Sequence, residues 1–213
     1  MKKLLFLAIV VVTSSVMGQN SSKAKALLDE VYNKVKSYDN IYVDFKFVLH
    51  NEEADVNQET RGEVTMEGDK YSANFFGAQQ IYDGKKVYTI VEENEEVTIE
   101  DKSEDENSFT PSEMLTFYKE GHNYKWDILQ NVQGRKIQYV KLTPIDTNAE
   151  IKTILLGVDV GTKHIYKLIQ TGSNGTTTTI TVNSFKTDQP ISKTLFTFDE
   201  DKYKNQGYYI IRN

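Results

Sequence analysis

Few residues in this sequence are placed to make or break bonds. Its three histidines, His50, His122 and His164, lie far apart, and none forms a metal-ligand pair with a close neighbour. No serine sits at a nucleophile elbow, and neither a phosphate-binding glycine loop nor a nucleic-acid motif occurs. Carboxylates are plentiful, with 31 Asp and Glu, but they gather in turns and polar loops where solvation is the default. Asp101, Ser103, Asp105 and Asn107 alternate as calcium-loop ligands do, yet Glu106 stands where that loop needs Gly and Ser112 where it needs a bidentate Glu. The inventory calls for no metal, no cofactor and no catalytic residue, and points away from an enzyme.

The chemistry the sequence does offer is apolar burial. Ile41 to Leu49 alternates strictly, so Phe45 and Phe47 share one face while Lys46 and Val48 take the other. Val64 and Met66, then Tyr71 and Phe75, repeat the pattern in the next two strands. Met114, Leu115, Phe117 and Tyr118 make a short helix more apolar than a surface helix needs to be. These ten side chains are the candidate lining of an apolar groove. Aromatic and Met linings suit a flexible ligand because Met repacks cheaply, and each buried methylene contributes about 0.8 kcal/mol. Ordinary core packing accounts for the same ten positions equally well.

Several elements must position them. Residues 22–37 carry Ala24, Leu27, Leu28, Val31 and Val35 at helical spacing, with Asn20, Ser21 or Ser22 as the N-cap. From Glu59 to Glu100 short strands are joined by tight turns at Gly68-Asp69, Gly77-Ala78 and Asp83-Gly84, so consecutive strands must be neighbours. A polar loop is expected at Asn51 to Gln58, and an acidic one between Asp101 and Ser108. Thr110 then reads as an N-cap, Pro111 as the first helical residue and Glu113 as the partner of a capping box, with Phe109 stapled to Met114 and Gly121 ending the helix. Between an acidic loop and a glycine, this helix has the setting of a lid.

The second half continues in strands, with alternating sets at Tyr124/Trp126/Ile128, Ile137/Tyr139, Ile151/Thr153/Leu155 and Ile165/Lys167/Ile169, then Thr176 to Phe185. Leu195 to Phe198 reads as one more short strand and Tyr208 to Ile211 as an apolar tail. The predicted fold is mainly β: an open, strongly curved antiparallel half-barrel of about eleven strands, its concave face capped by helices.

Composition narrows the setting. A net charge of minus 6 speaks against nucleic acid and anionic membrane surfaces. Met1 to Lys3 is a positive n-region, Leu4 to Val12 an apolar h-region too short to span a bilayer, and Val16-Met17-Gly18 a cleavage site, which predicts an exported chain starting at Gln19. Removing that segment leaves 23 basic and 31 acidic side chains. With no cysteine the mature chain holds neither a disulfide nor an acyl anchor of its own, and must rest on one sizeable core. A single domain over 19–213 and a monomer are expected.

The order of these parts resembles the outer-membrane lipoprotein carrier family, LolA. The likeness rests on the leader and amphipathic helix, Gly62-Glu63-Val64 before a Gly-Asp-Lys-Tyr hairpin, Tyr82-Asp83-Gly84-Lys85-Lys86-Val87-Tyr88, the Thr110-Pro111 helix start and Leu195-Phe196-Thr197-Phe198. It covers nearly the whole mature chain and is similar in style to divergent carriers of Bacteroidota type. The resemblance implies a periplasmic protein that shelters the acyl chains of lipoproteins, is loaded by an inner-membrane ABC transporter of the lipoprotein-releasing kind, and is unloaded by an outer-membrane acceptor. Where the best-known carriers have an Arg-Pro step that ties the first hairpin to the lid, this chain has Met66-Glu67-Gly68-Asp69. Two other readings stay open on the residues alone: a periplasmic sensor or interaction domain on the same half-barrel, and a small hydrolase using its cleft. The leader yields the first prediction: intact-mass analysis of the exported protein should give residues 19–213 with no lipid adduct, and a retained Lys2-Lys3 segment would contradict it.

Overall fold

The computed structural model describes residues 20–102 and 110–213. The export segment with its cleavage site, the calcium-like run through Asn107, and Phe109 with its staple lie outside them. Helix α1, residues 20–36, turns Ala24, Leu27, Leu28, Val31 and Val35 inward as its spacing requires. Then come β1 (Asn40–Asn51), β2 (Val56–Glu67), β3 (Lys70–Phe75), β4 (Ala78–Tyr82), β5 (Lys86–Val91) and β6 (Glu96–Asp101). After the four-residue helix α2 (Pro111–Met114) follow β7 (His122–Val132), β8 (Arg135–Pro144), β9 (Ile151–Asp159), β10 (Ile165–Gly172) and β11 (Thr177–Thr187), and last α3 (Glu200–Asn205) and β12 (Tyr209–Arg212).

All twelve strands form one sheet in the order β12-β6-β5-β4-β3-β2-β1-β11-β10-β9-β8-β7. The two meanders are joined where β11 returns to pair with β1, a step no local turn signal announces. Neighbours are antiparallel except at one edge, where β12 runs parallel to β6. The sheet stays open and curves as a half-barrel around α1, whose apolar side packs with Ile41, Val43, Val64, Met66, Val140, Leu142, Ile154, Leu156 and Val158. Bulges fall at Asp44/Phe45 against β11, at Ile165/Lys167 on β10, at Lys152 of β9 opposite Thr171/Gly172, and at Trp126/Leu129 on β7, each adding local bend and twist. Buried Gln138 fills the β7 irregularity by donating to the carbonyls of Asp127 and Tyr139 at 2.8 Å.

Several expectations are corrected. Half of the polar segment from Asn51 to Gln58 is strand: β1 and β2 pair as far as Asn51 opposite Val56, with residues 52–55 in the turn. Polar side chains on a solvated face pair as well as apolar ones, so polarity alone misplaced the boundary. Leu195 to Phe198 is a turn, not a strand, and α3 follows it, with Asp199 Oδ1 accepting from Lys202 N at 3.0 Å as N-cap. On β9 the inner face carries Ile154, Leu156 and Val158, with Ile151 brought to the same face by the irregularity at Lys152, while Thr153 and Leu155 turn away, because this strand is apolar on both sides and its alternation gives no phase. The turn expected at Gly77-Ala78 is Phe76-Gly77, so β3 ends at Phe75 and Ala78 begins β4.

A second core lies on the outer face, where sequence reading placed none. Ile81, Ile90, Val97 and Ile99 face outward and pack under Tyr203, with Tyr88, Phe198, Tyr208 and Ile210 around them. Tyr88 stacks on Phe198 at 4.6 Å and Phe198 on Tyr203 at 5.2 Å. The C-terminal segment thus crosses the back of the sheet and ends by covering its β6 edge.

At the other end of the fold, Tyr38 Oη lies 2.7 Å from His164 Nε2, and the imidazole stacks on Phe185 at 4.1 Å. Burial, and then the nearby Lys34 charge, hold this histidine below its ordinary pKa of 6.5, while Asp159 pulls the other way. The folded state therefore binds this proton less readily than the unfolded chain, and stability falls as pH drops through 6.5 until the lower folded-state value is passed. Urea unfolding at pH 7.5, 6.5 and 5.5 should show that decline, and His164→Phe should flatten it.

Candidate functional site

The inner face of the sheet is laid out in rows. Val43 stands opposite Val64 and Phe185, Phe45 opposite Gly62 and Val182, and Phe47 opposite Thr60 and Ile180, which in turn faces Leu168. Helix α1 covers the first of these rows and stops short of the others. The uncovered part is a cavity of about 380 Å³. Phe45, Phe47, Val64, Met66 and Phe75 line it from the sheet, and Met114 and Leu115 from above. Gly62 makes the floor possible, since a Cβ there would meet Phe45 Cζ at 2.6 Å and Phe75 Cδ2 at 2.7 Å. With no side chain at this point, two aromatic rings come close over the backbone and meet, tilted, at 5.4 Å.

The roof is α2. Its capping box is formed as the sequence requires: Thr110 Oγ1 accepts from Glu113 N at 3.3 Å and Glu113 Oε2 accepts from Thr110 N at 2.7 Å. The hydrogen bond from Thr110 N holds the Glu113 carboxyl below its usual range. The helix is shorter than expected, ending at Met114 before a 3-10 turn at Phe117–Lys119, and Gly121 takes its positive φ only after that turn. The C-terminal end of this segment is firmly moored. Tyr124 Oη donates to the Tyr118 carbonyl at 2.8 Å, and Lys119 pairs with Asp29 of α1 while lying over the Tyr32 ring. The N-terminal end touches the β2–β3 hairpin through Ser112 Oγ donating to the Gly68 carbonyl at 3.4 Å.

The remaining candidates from the sequence do not line the cavity. Tyr118 is fully buried in the core beneath α1, and its hydroxyl has no hydrogen-bond partner among the described residues. Tyr71 is buried under Tyr82 and donates to Gln80 Oε1 at 2.7 Å, burial pushing its phenol up to about 12. Phe117 packs edge-on against Tyr118 and His122. Phe117 and Tyr118 sit where the 3-10 turn, rather than a continued helix, sends them. Conversely, Val43, Ala73, Leu168, Ile180 and Val182 line the cavity without having been singled out. The alternation of β11 contained the signal for Ile180 and Val182, but its pairing with β1 did not follow from local sequence.

The cavity wall offers a ligand few polar atoms. Gln80 and Thr89 are its polar side chains besides backbone, and they satisfy each other and Tyr71, Gln80 Nε2 donating to Thr89 Oγ1 at 3.4 Å. Farther along the same inner face the lining changes character. Past Leu168 and Ile180 the next positions are Gln170 and Thr178, and with Glu150, Asn174 and Thr176 they border a separate polar hollow of about 350 Å³. The apolar trough is thus followed on the same face by a hydrogen-bonding end that carries one carboxylate, Glu150.

A family model described as outer membrane lipoprotein carrier protein LolA matches residues 36–199. The chain belongs to this family. The match runs from the end of α1 to the N-cap of α3, so it takes in the groove, the roof and the strands under both. No curated protein matches the LolA-family chain in sequence. Among solved structures it is similar to an uncharacterized conserved protein of Thermus thermophilus, with TM-score 0.56, 7% identity, and 87% of this chain and 98% of that one covered. LprF of Mycobacterium bovis gives TM-score 0.53 and 12% identity over 81% of this chain and 96% of that one. A LolA superfamily protein of Nitrosomonas europaea gives TM-score 0.44 and 12% identity over 83% and 98%. At these identities the likeness is one of fold.

The floor of the groove supplies a direct test. Gly62→Ala puts a methyl group into both phenyl rings at once, and neither can retreat into the sheet below it. Chemical denaturation should show a loss of about 1–3 kcal/mol, as for overpacked cores. An unchanged midpoint would mean that the rings tilt freely into the cavity.

Proposed function

We propose that this protein is a periplasmic carrier that holds the acyl chains of lipoproteins in the groove and conveys them between membranes. One observation carries the reading: a LolA-family chain has an apolar cavity of about 380 Å³, its polar wall groups bonded to one another, under a short helix tethered loosely at one end. Such a wall rewards methylenes and gives a charged or strongly polar ligand nothing to pair with. Ten methylenes sheltered there contribute about 8 kcal/mol, enough to hold a chain without any ionic contact. The polar hollow at the end of the trough suits the part of the cargo that is not lipid.

In this reading Phe45, Phe47, Val64, Met66 and Phe75 form the floor for the acyl chains and Met114 and Leu115 the moving cover. Tyr71, Phe117 and Tyr118 support that surface from behind. Loading by an inner-membrane ABC transporter and release to an outer-membrane acceptor complete the cycle. Carriage changes no bond in the cargo, so the protein works as a binding protein and not as an enzyme. Among the described residues no helix is long and apolar enough to cross a membrane, in keeping with a carrier that leaves the bilayer behind.

Leu115 is the position to test, because it lines the cavity and is only half-buried. Leu115→Asp should lower the affinity for a fluorescent diacylated peptide at least about tenfold while the protein still unfolds cooperatively near its original midpoint. Mass spectrometry of gently purified protein should find acylated polypeptide bound and chemically intact. Collapse of the fold together with binding would make Leu115 a core residue, and hydrolysed cargo would favour an enzyme.

A further inference from the structure

The aromatic floor does not end at the cavity. Phe45 meets Phe75 at 5.4 Å, Phe75 meets Phe47 at 5.3 Å, and both Phe47 and Phe75 meet Phe76, at 5.4 and 4.0 Å. The first three rings line the cavity, whereas Phe76 stands outside it and is 57% exposed. A continuous run of phenyl rings therefore leads from the sheltered floor into solvent.

Nothing local favours phenylalanine at that position. Phe76 and Gly77 are the two central residues of the turn between Phe75 and its partner Ala78, with φ of 52° and 76°. Turns of this kind want Asn, Asp or Gly at the first position, because a bulky side chain in the left-handed region crowds its own backbone. The other described non-glycine residues with positive φ are Asp55, Glu95, Gln133, Lys163 and Asp188, all of them polar. Phe76 combines an unfavourable conformation with an exposed apolar ring, and its ring contacts go to Phe47 and Phe75 of the groove. What it adds is apolar surface at the mouth.

We propose that Phe76 is a further binding residue of the groove, the outer step on which an acyl chain rests while it enters or leaves. The inference rests on the carrier reading above. A chain sliding out must pass a stage at which its last methylenes have left the cavity without reaching their next host. A ring stacked on the end of the floor covers some of them at that stage. Its contribution falls on the transition between bound and free more than on the bound state, so it speeds capture and release together and leaves affinity nearly unchanged.

The test is Phe76→Asn, which relieves the turn while removing the ring. Its melting temperature should equal or exceed that of the parent. In stopped-flow transfer of a fluorescent diacylated peptide from phosphatidylcholine vesicles, capture and release should both slow roughly tenfold, the factor supplied by covering about two methylenes. Phe76→Leu, apolar but smaller, should recover most of the rate. Unchanged rates in Phe76→Asn, with normal transfer by the parent, overturn this proposal and leave the carrier reading intact. Loss of the fold makes Phe76 a structural residue and overturns it too. If Phe76→Asn instead loses binding to the same vesicles without peptide, the ring serves a lipid surface and the proposal fails. No capture by the parent protein would count against the carrier reading and remove this inference with it.

Discussion

The structure depends on a mismatch of size between one helix and one sheet. The strands of the central part run to about 40 Å at 3.3 Å per residue, and twelve of them at 4.8 Å spacing give an arc of about 55 Å. The one long helix among the described residues that covers the inner face, α1, is about 25 Å long and about 10 Å wide. Curling the sheet brings both wings toward the helix, which is why Val64 and Met66 from one meander and Leu142, Ile154 and Leu156 from the other meet the same α1 side chains. It cannot cover the rest. The rows of Phe45 and Phe47 are apolar beyond the reach of α1, and what remains there is a groove and not a core.

Other features follow from the need to curl without closing. Bulges on β7, β10 and between β1 and β11 bend the sheet at several places, and Gly62 lets the floor stay thin where the two phenyl rings cross it. The outer face of the β4–β6 wing is apolar as well, and would be exposed if the chain ended at Pro190. The segment carrying Phe198, Tyr203 and Tyr208 covers it and delivers β12 to the open edge of β6. Both faces of that wing are thus held in place, one by α1 with its neighbours and one by the C-terminal segment, leaving the middle of the inner face as the part without a permanent cover.

What the sequence made legible was local. The Gly68-Asp69 and Asp83-Gly84 turns, the alternation that puts Phe45 and Phe47 on one face, and the Thr110-Pro111-Ser112-Glu113 cap are decided within a few residues, and the structure has them. What it concealed depended on distant partners. The shift of register at Asn183 is what brings Phe185 onto the same face as Ile180 and Val182, and no count of alternating residues along β11 alone contains it. Strand β9 hid its inner face because Leu155 and Leu156 are equally apolar, and only pairing with Leu142 and Val140 selects Ile154 and Leu156. Tyr118 was read as lining because α2 was expected to run on to Gly121. With the helix over after one turn, the 3-10 segment rotates that ring into the core.

The Met66-Glu67-Gly68-Asp69 hairpin holds the roof only weakly. Among the described residues the roof meets the β2–β3 hairpin through one long hydrogen bond, Ser112 to the Gly68 carbonyl, a neutral contact worth about 1 kcal/mol or less at this geometry. The opposite end of the roof segment is fixed by the Lys119–Asp29 pair and by Tyr124 gripping the Tyr118 carbonyl. Asp29 is held below its ordinary pKa by Lys119 and Lys25, so that mooring stays charged at neutral pH and weakens only as pH falls through the lowered carboxylate value. Among the described contacts the segment is thus held firmly at one end and weakly at the other, and the weakly held part is the one over the groove. Met114 and Leu115, which line the cavity, sit on this weakly held part. If acyl chains fill the groove as proposed, they add apolar area on the underside of Met114 and Leu115, and closure is then coupled to occupancy.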